Sequence, residues 1–337
     1  MTVTKKLATV VLLVAMLFTL TGCGRKSEPI SEPEQQSESQ DRNTIRVATV
    51  LSGPVNDNGW NATGYAGLKK IEEELGAEVA FSDQVPVPEF EETFRDYASK
   101  GYDLIIGHGD QFSEAAATVA SEFPDVKFAV INGNKTASNL STFSISDAEV
   151  SFLAGAVAGL CTESNVVSAI GGMEIPPTLR SLEGYKAGAS HVNPEAQVLL
   201  AYTGSFTDAA KAKEAAMAQL SMGSDVIFYY LDAASPGVIQ ACEDEGAKAI
   251  ATITDQYDQA PDTILTSTLT DLSSLILDIG RLASEGQLEG KAYVYGVANE
   301  DIVSLAPFRG SVSEEVEAKI EEIRQGIIEG EIELPVM

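Results

Sequence analysis

One tryptophan, two histidines and a scatter of carboxylates carry most of the binding chemistry open to this 337-residue chain. Trp60 and Phe206 offer flat faces on which a planar ring can stack, a contact worth roughly 1–3 kcal/mol per base. Asn61, beside Trp60, offers an amide, and Asp57, Asp110, Asp232 and Asp255 offer carboxylates. An ionised carboxylate only accepts hydrogen bonds, so such a set selects ring N–H or sugar O–H donors. It disfavours a phosphate, and the sequence holds no basic cluster to offset that repulsion. His108 stands in a Gly-His-Gly turn without a spaced partner. It reads as a structural group or a hydrogen-bond partner of a ligand rather than as a general base or metal ligand. Each of these residues also has a plainer use. Trp60 and Phe206 can pack in a core, Asp57 can cap a helix that begins near Asn58, and Asp232 and Asp255 can be solvated strand-end carboxylates.

The same inventory argues against other chemistries. The stretch Gly286–Ala292 resembles a phosphate-binding loop but has one spacer too few and no hydroxyl residue after its Lys. No GxGxxG, HExxH, GxSxG or CxxC pattern occurs. Asp232 and Asp255 could serve a hydrolase in principle, yet nothing in their spacing singles them out as an acid and a nucleophile. Two His and three Cys do not make a common zinc cluster, so no metal or cofactor is expected. Cys161 and Cys242 lie in helical segments and are expected to be buried free thiols, although an oxidising compartment would permit a bridge. The net charge of −28 argues against a nucleic-acid partner, which needs a basic footprint. No enzyme is expected.

The first residues read as a targeting segment. Lys5 and Lys6 precede an apolar run from Leu7 to Leu20 that ends in Leu20-Thr21-Gly22-Cys23. The run is short for a bilayer span and has the pattern of a secretory leader. The small residues before Cys23 resemble a bacterial lipobox, which implies a leader over residues 1–22, cleavage, and lipidation of Cys23 that holds the chain on a membrane. Residues 23–43 follow as a Ser-, Glu-, Gln- and Pro-rich tether expected to be disordered.

From Thr44 onward, elements that could position the binding residues alternate. Apolar, β-branched runs mark strands at Ile45–Leu51, Glu78–Phe81, Asp103–Gly107, Val126–Ile131, Val166–Ile170, Gln197–Tyr202, Asp225–Tyr230, Lys248–Ile253, Thr263–Leu265 and Ala292–Tyr295. Helical spacings lie between them, as in Leu68, Ile71 and Leu75 before Gly76. This alternation predicts parallel α/β architecture in two doubly wound lobes, with a (β/α)₈ barrel as the alternative. The candidate residues all follow strands, where open α/β sheets bind their ligands.

At these strand ends the chain resembles the basic membrane lipoprotein family, the purine-nucleoside-receptor-like solute-binding proteins of ABC importers. The matching segments are Ser52–Asn61, Gly107–Phe112, Gly171–Pro177, Tyr202–Asp208 and Asp255–Ser267. The resemblance implies a type I periplasmic-binding-protein fold, with two lobes joined by three crossing strands. It also implies a purine held between Trp60 and Phe206, with Asn61 and Asp255 near base or ribose. An ABC permease and ATPase are the implied partners, and a monomer is expected. A ligand-sensing lipoprotein, or a binder of another small polar solute, is the alternative. Where nucleoside binders of the family usually carry a Lys, Thr270 stands before Asp271. That departure leaves nucleoside and free base both open. The lobes are expected over residues 44–145 plus about 257–285, and over residues 146–256 plus about 286–337.

Overall fold

The computed structural model describes residues 44–57 and 59–335. The expected leader, Cys23 and the whole of the tether lie outside these residues. The chain lays down the same unit twice. Strands β1 (Arg46–Val50), β2 (Glu78–Ser82), β3 (Leu104–His108), β4 (Lys127–Ile131) and β5 (Leu140–Ile145) form one parallel sheet. Strands β6 (Val166–Gly171), β7 (Gln197–Tyr202), β8 (Val226–Tyr230), β9 (Lys248–Ile253) and β10 (Ile264–Thr270) form a second. The strand order is 2-1-3-4-5 in the first sheet and 7-6-8-9-10 in the second. The returning chain adds β11 (Ala292–Tyr295) parallel to β5, and β12 (Val303–Leu305) antiparallel to β10. Two separate sheets replace the single closed barrel of the alternative reading, and the arrangement is the type I periplasmic-binding-protein fold.

The strands form where the apolar runs predict, because both faces are covered: Val47, Ala48, Leu104, Ile105, Ile106, Ala129 and Val130 are wholly buried. Two strands escape that pattern. β5 reads LSTFSI, and its Ser141 and Thr142 are buried, with Ser141 Oγ donating to the Phe128 carbonyl at 3.1 Å. β12 has three residues, too few for any periodicity.

Helices cover both faces. α1 (Trp60–Leu75), α2 (Phe90–Ser99) and α3 (Ser113–Glu122) serve the first sheet; α4 (Asp147–Cys161), α5 (Pro176–Val192), α6 (Ala209–Ser221) and α7 (Ser235–Glu245) serve the second. α8 (Leu272–Ser284) packs along α1, and α9 (Glu314–Ile328) packs on α4. The α4–α5 pair is held so close that a Cβ on Gly188 would stand 1.9 Å from the Phe152 carbonyl oxygen, and one on Gly155 1.9 Å from that of Tyr185. Only glycine permits that approach.

The lobe borders differ from the expected ones. β10 pairs within the second sheet, whereas α8 and β11 belong to the first lobe, so the returning piece of the first lobe is residues 272–295 rather than 257–285. The apolar signal of β10 ends at Leu265, and its continuation Thr266-Ser267-Thr268 is polar yet buried, which hides the strand from a hydrophobicity reading. Three crossovers follow: Ser146 between β5 and α4, Asp271 between β10 and α8, and residues 296–302 between β11 and β12. They are tied to one another. Asp271 N donates to the Ile302 carbonyl at 2.8 Å, and Ser146 N to that of Tyr295 at 2.8 Å. Val297 N donates to Glu149 Oε2 at 2.9 Å. Because the chain leaves β5, β10 and β11 at their carboxyl ends, the carboxyl edges of both sheets open on the space between the lobes.

Candidate functional site

In the first lobe the chain leaving β1 turns back to start α1, and Asp57 organises that turn. Oδ1 accepts from Gly59 N and Ala62 N, both at 2.9 Å; Oδ2 accepts from Asn61 N at 3.0 Å and Asn61 Nδ2 at 2.8 Å. Desolvation pulls this carboxyl upward, but those N–H donors prevail and hold it well below the usual carboxylate range. Four donors fill its accepting positions. Asp57 therefore caps the helix, which begins at Trp60 rather than near Asn58. Asn61 is spent in the same knot, its Oδ1 accepting from Gly53 N at 3.1 Å. Both side chains, expected from sequence near a ligand, shape the turn that delivers Trp60.

Trp60 and His108 form a two-ring stack. The ring centroids are 4.2 Å apart with planes inclined by 28°. Trp60 Nε1 donates to the His108 carbonyl at 3.2 Å, and His108 Nε2 lies 2.8 Å from the Trp60 carbonyl. A carbonyl only accepts, so Nε2 carries the proton, and Nδ1 is buried with no hydrogen-bond partner. His108 is wholly buried, and a Cβ on Gly64 would stand 2.8 Å from its ring, so α1 leaves it no room to move. Burial, opposed by the bond to Trp60, lowers its pKa to about 4. The imidazole is thus a neutral shelf beneath Trp60, not the direct partner of a ligand considered from sequence. Trp60 keeps 39% of its surface exposed on the far side. Beyond it, Asp110 is exposed and its carboxylate has no hydrogen bond or ion pair among the described residues, while Gln111 Nε2 donates to Ser52 Oγ at 3.0 Å.

In the second lobe Phe206 is half-buried, its ring pressed on Gly172 so closely that a Cβ there would stand 2.2 Å from it. The Phe206 carbonyl accepts from Asp232 N at 3.0 Å and Ala234 N at 3.1 Å, which joins the loops after β7 and β8. The Asp232 carboxylate has no hydrogen bond or ion pair among the described residues, and partial burial raises its pKa. Asp147, at the first turn of α4, pairs with Arg180 at 2.9 Å; both lie near Tyr230 and Asp232 at the sheet edge. Among the described residues, no hydrogen bond or ring contact joins Trp60 to Phe206.

Asp255 is less available than its position suggested. Arg309 grips it with Nη2–Oδ2 at 2.5 Å and Nη1–Oδ1 at 3.4 Å, and Tyr257 N donates to Oδ1 at 3.1 Å. The guanidinium also lies 4.7 Å over the Tyr257 ring. Desolvation raises the carboxyl, but the bond to Arg309 outweighs it and the pKa is lowered. Sequence reasoning missed Arg309 because only the fold of β12 brings residue 309 beside residue 255. It missed Ile253 as well. That residue ends β9 at φ 73°, with Thr254 N donating to the Thr252 carbonyl at 2.8 Å, which makes a γ-turn of the rare positive-φ kind. A β-branched residue there is a true outlier, costing about 1–3 kcal/mol, and Ile253 remains 37% exposed.

Cys161 and Cys242 are free; Cys242 is buried and Cys161 half-buried, and burial pushes the two thiols up to about 12 and about 11. His191 is exposed, as expected. Among the described residues no group of three or more His, Cys, Asp or Glu could hold a metal ion, and no helix is long and apolar enough to cross a membrane.

Comparison with known proteins agrees with this fold. The chain is 26% identical to the transcriptional activator protein Med of Bacillus subtilis, over 92% of this chain and 93% of that protein. It is 28% identical to a purine-binding protein of Brucella abortus, over 82% of this chain and 81% of that protein. The crystal structure of a transcriptional activator of the comK gene from Bacillus halodurans superimposes with a TM-score of 0.74 at 28% identity, over 86% of this chain and 100% of that one. The family of PnrA-like ABC transporter substrate-binding proteins matches residues 44–337. A family of solute binders, not of enzymes, accounts for an interlobe site with exposed rings and carboxylates, and this chain belongs to it.

Proposed function

We propose that this protein is the extracytoplasmic receptor of an ABC importer, held on the membrane by lipid on Cys23, and that it encloses a purine base or nucleoside between its lobes. The carrying observation is the Trp60–His108 stack: one ring face is fixed from below, while the other remains open at the carboxyl edge of the first sheet. Phe206 is the corresponding ring of the second lobe, and Asp232 and Asp110 are the carboxylates left free to accept ring N–H groups. Closure about the three crossovers brings the two halves together on a ligand that touches both. The similarity to a protein named as purine-binding supports the ligand class. The permease and ATPase take the loaded protein, a monomer, and no nucleic acid takes part. Likeness to proteins named as transcriptional activators favours a second reading, in which the same closure reports ligand to a signalling partner.

A thermal-shift screen of the full chain in detergent against purines, nucleosides, pyrimidines and sugars tests the ligand. A ligand at about 100 times its Kd stabilises the folded form by about 2.7 kcal/mol. Purines are expected to raise Tm, and Trp60→Ala to abolish the rise. No purine response from chain first refolded to remove carried-over ligand refutes the reading.

A further inference from the structure

We propose that the cleft selects 6-oxopurines, of the guanine and hypoxanthine type, over 6-aminopurines such as adenine, with Arg180 and Asp232 as the residues that read the difference; the inference rests on the purine reading above. In open α/β sheets a ligand binds outside the carboxyl ends of the strands, where the strand order reverses. The orders 2-1-3-4-5 and 7-6-8-9-10 reverse between β1 and β3 and between β6 and β8. Trp60, after β1, and His108, at the end of β3, stand at the first reversal. Arg180, in the second turn of α5 after β6, and Asp232, just after β8, belong to the second. The strand ends are joined there: Gly171 pairs with Tyr230 in register, and Gly172 N donates to the Tyr230 carbonyl at 3.2 Å.

Arg180 is held at this edge without being used up. Nη2 donates to Asp147 Oδ2 at 2.9 Å, and Nε and Nη1 have no hydrogen bond among the described residues. The Asp147 side chain keeps 14% of its surface exposed and that of Arg180 38%, so the carboxylate is the buried anchor and the guanidinium the exposed end. The anchor is rigid, because a Cβ on Gly184, one turn after Arg180, would stand 2.5 Å from the Ala148 carbonyl oxygen. Burial and the charges of Asp147 and Asp232 raise the Tyr230 hydroxyl while Arg180 opposes them, so the three charges lie around one phenol. Among the described residues no ion pair joins Arg180 to Asp232, which leaves donor and acceptor separately available. A guanidinium already neutralised by Asp147, with a second carboxylate near, suits a neutral carbonyl rather than an anion. A 6-oxopurine presents O6 and N7 as acceptors, the edge that an arginine fork fits, and N1–H as a donor to a carboxylate. Adenine instead turns an amino group toward the guanidinium and the N1 lone pair toward the carboxylate, so it is rejected at both points.

Isothermal titration of the full chain in detergent, first refolded to remove carried-over ligand, tests this with hypoxanthine against adenine and with inosine and guanosine against adenosine. Wild type is expected to bind the 6-oxo compound about tenfold or more tightly than its 6-amino counterpart, the discrimination a bidentate pair supplies. Arg180→Lys keeps a cation for Asp147 but replaces the fork with a point charge; it is expected to hold Tm and to narrow the ratio. Asp232→Asn, at an exposed position, supplies an amide that both donates and accepts, and is expected to shift the ratio toward adenine. Adenine and adenosine that bind wild type as tightly as the 6-oxo compounds overturn the inference. A ratio unchanged in both variants also overturns it, whatever happens to Tm, because the Asp147–Arg180 pair then serves the packing of α4 on α5 alone. Wild type that binds no purine of either kind refutes the purine reading itself.

Discussion

His108 links the ligand platform to the stability of the first lobe through a single proton. In the unfolded chain its imidazole titrates near 6.5, while burial under Trp60 lowers the folded value to about 4. Between those values the unfolded state binds more protons than the folded state, so stability rises with pH across the window. The contribution is complete above about pH 6.5 and is lost as pH falls toward about 4. At about pH 4.5 the lost stabilisation is about 2–3 kcal/mol, from 1.36 kcal/mol per pKa unit. His108→Phe keeps a ring under Trp60 and removes the titration. The assay is urea unfolding of both proteins at about pH 7.5 and 4.5, with the slope treated as proportional to the surface exposed. Trp60 is the only tryptophan, so its emission reports this stack directly. Carboxylates elsewhere titrate in both proteins and cancel in the difference. Wild type is expected to lose about 2–3 kcal/mol more than His108→Phe. Equal losses would mean that His108 is not held neutral by burial, and the account of the shelf would fall with it.

Two other perturbations follow from the packing. Gly188→Ala gains up to about 1 kcal/mol of helix propensity, but its Cβ meets the Phe152 carbonyl oxygen, which cannot move without parting α4 from α5; a net loss of about 2 kcal/mol or more is expected in denaturant unfolding, and a stabilised variant would show that the helices are not in this contact. Asp57→Ala removes the acceptor of three backbone N–H groups and is expected to cost about 0.5–2 kcal/mol at neutral pH. Because its folded pKa is depressed, that stabilisation is present above about pH 4 and declines as the solution is acidified, so wild type and variant should converge in stability at low pH.

Much of the fold was legible from the apolar runs. β7, β9 and β11 span the very residues their hydrophobic stretches mark, and Gly76 ends α1 at φ 63° as a helix-stopping glycine should. Apart from the three-residue β12, the failures share one cause. β5 and the second half of β10 bury Ser and Thr, among them Ser141 and Thr266, whose hydroxyls donate to the carbonyls of Phe128 at 3.1 Å and Ala306 at 2.7 Å. Such strands are satisfied by bonds that hydropathy does not record, and missing the length of β10 moved the lobe border by about fifteen residues.

The sequence by itself determined which residues stand at the carboxyl edges of the strands, because strand and helix periodicity is local and places Trp60, His108, Phe206, Asp232 and Asp255 after their strands without reference to anything distant. Only the tertiary structure decided what each is free to do. Asp57 and Asp255 are equal as carboxylates in a list, yet one is filled by the amides of its own turn and the other by Arg309, 54 positions away. His108 becomes a neutral shelf because α1 closes over it, and Trp60 becomes a platform because that shelf covers one face only. Availability of a polar group depends on which donors lie within hydrogen-bond reach and on how much water remains, and both are set by chain segments that meet only when the fold is complete.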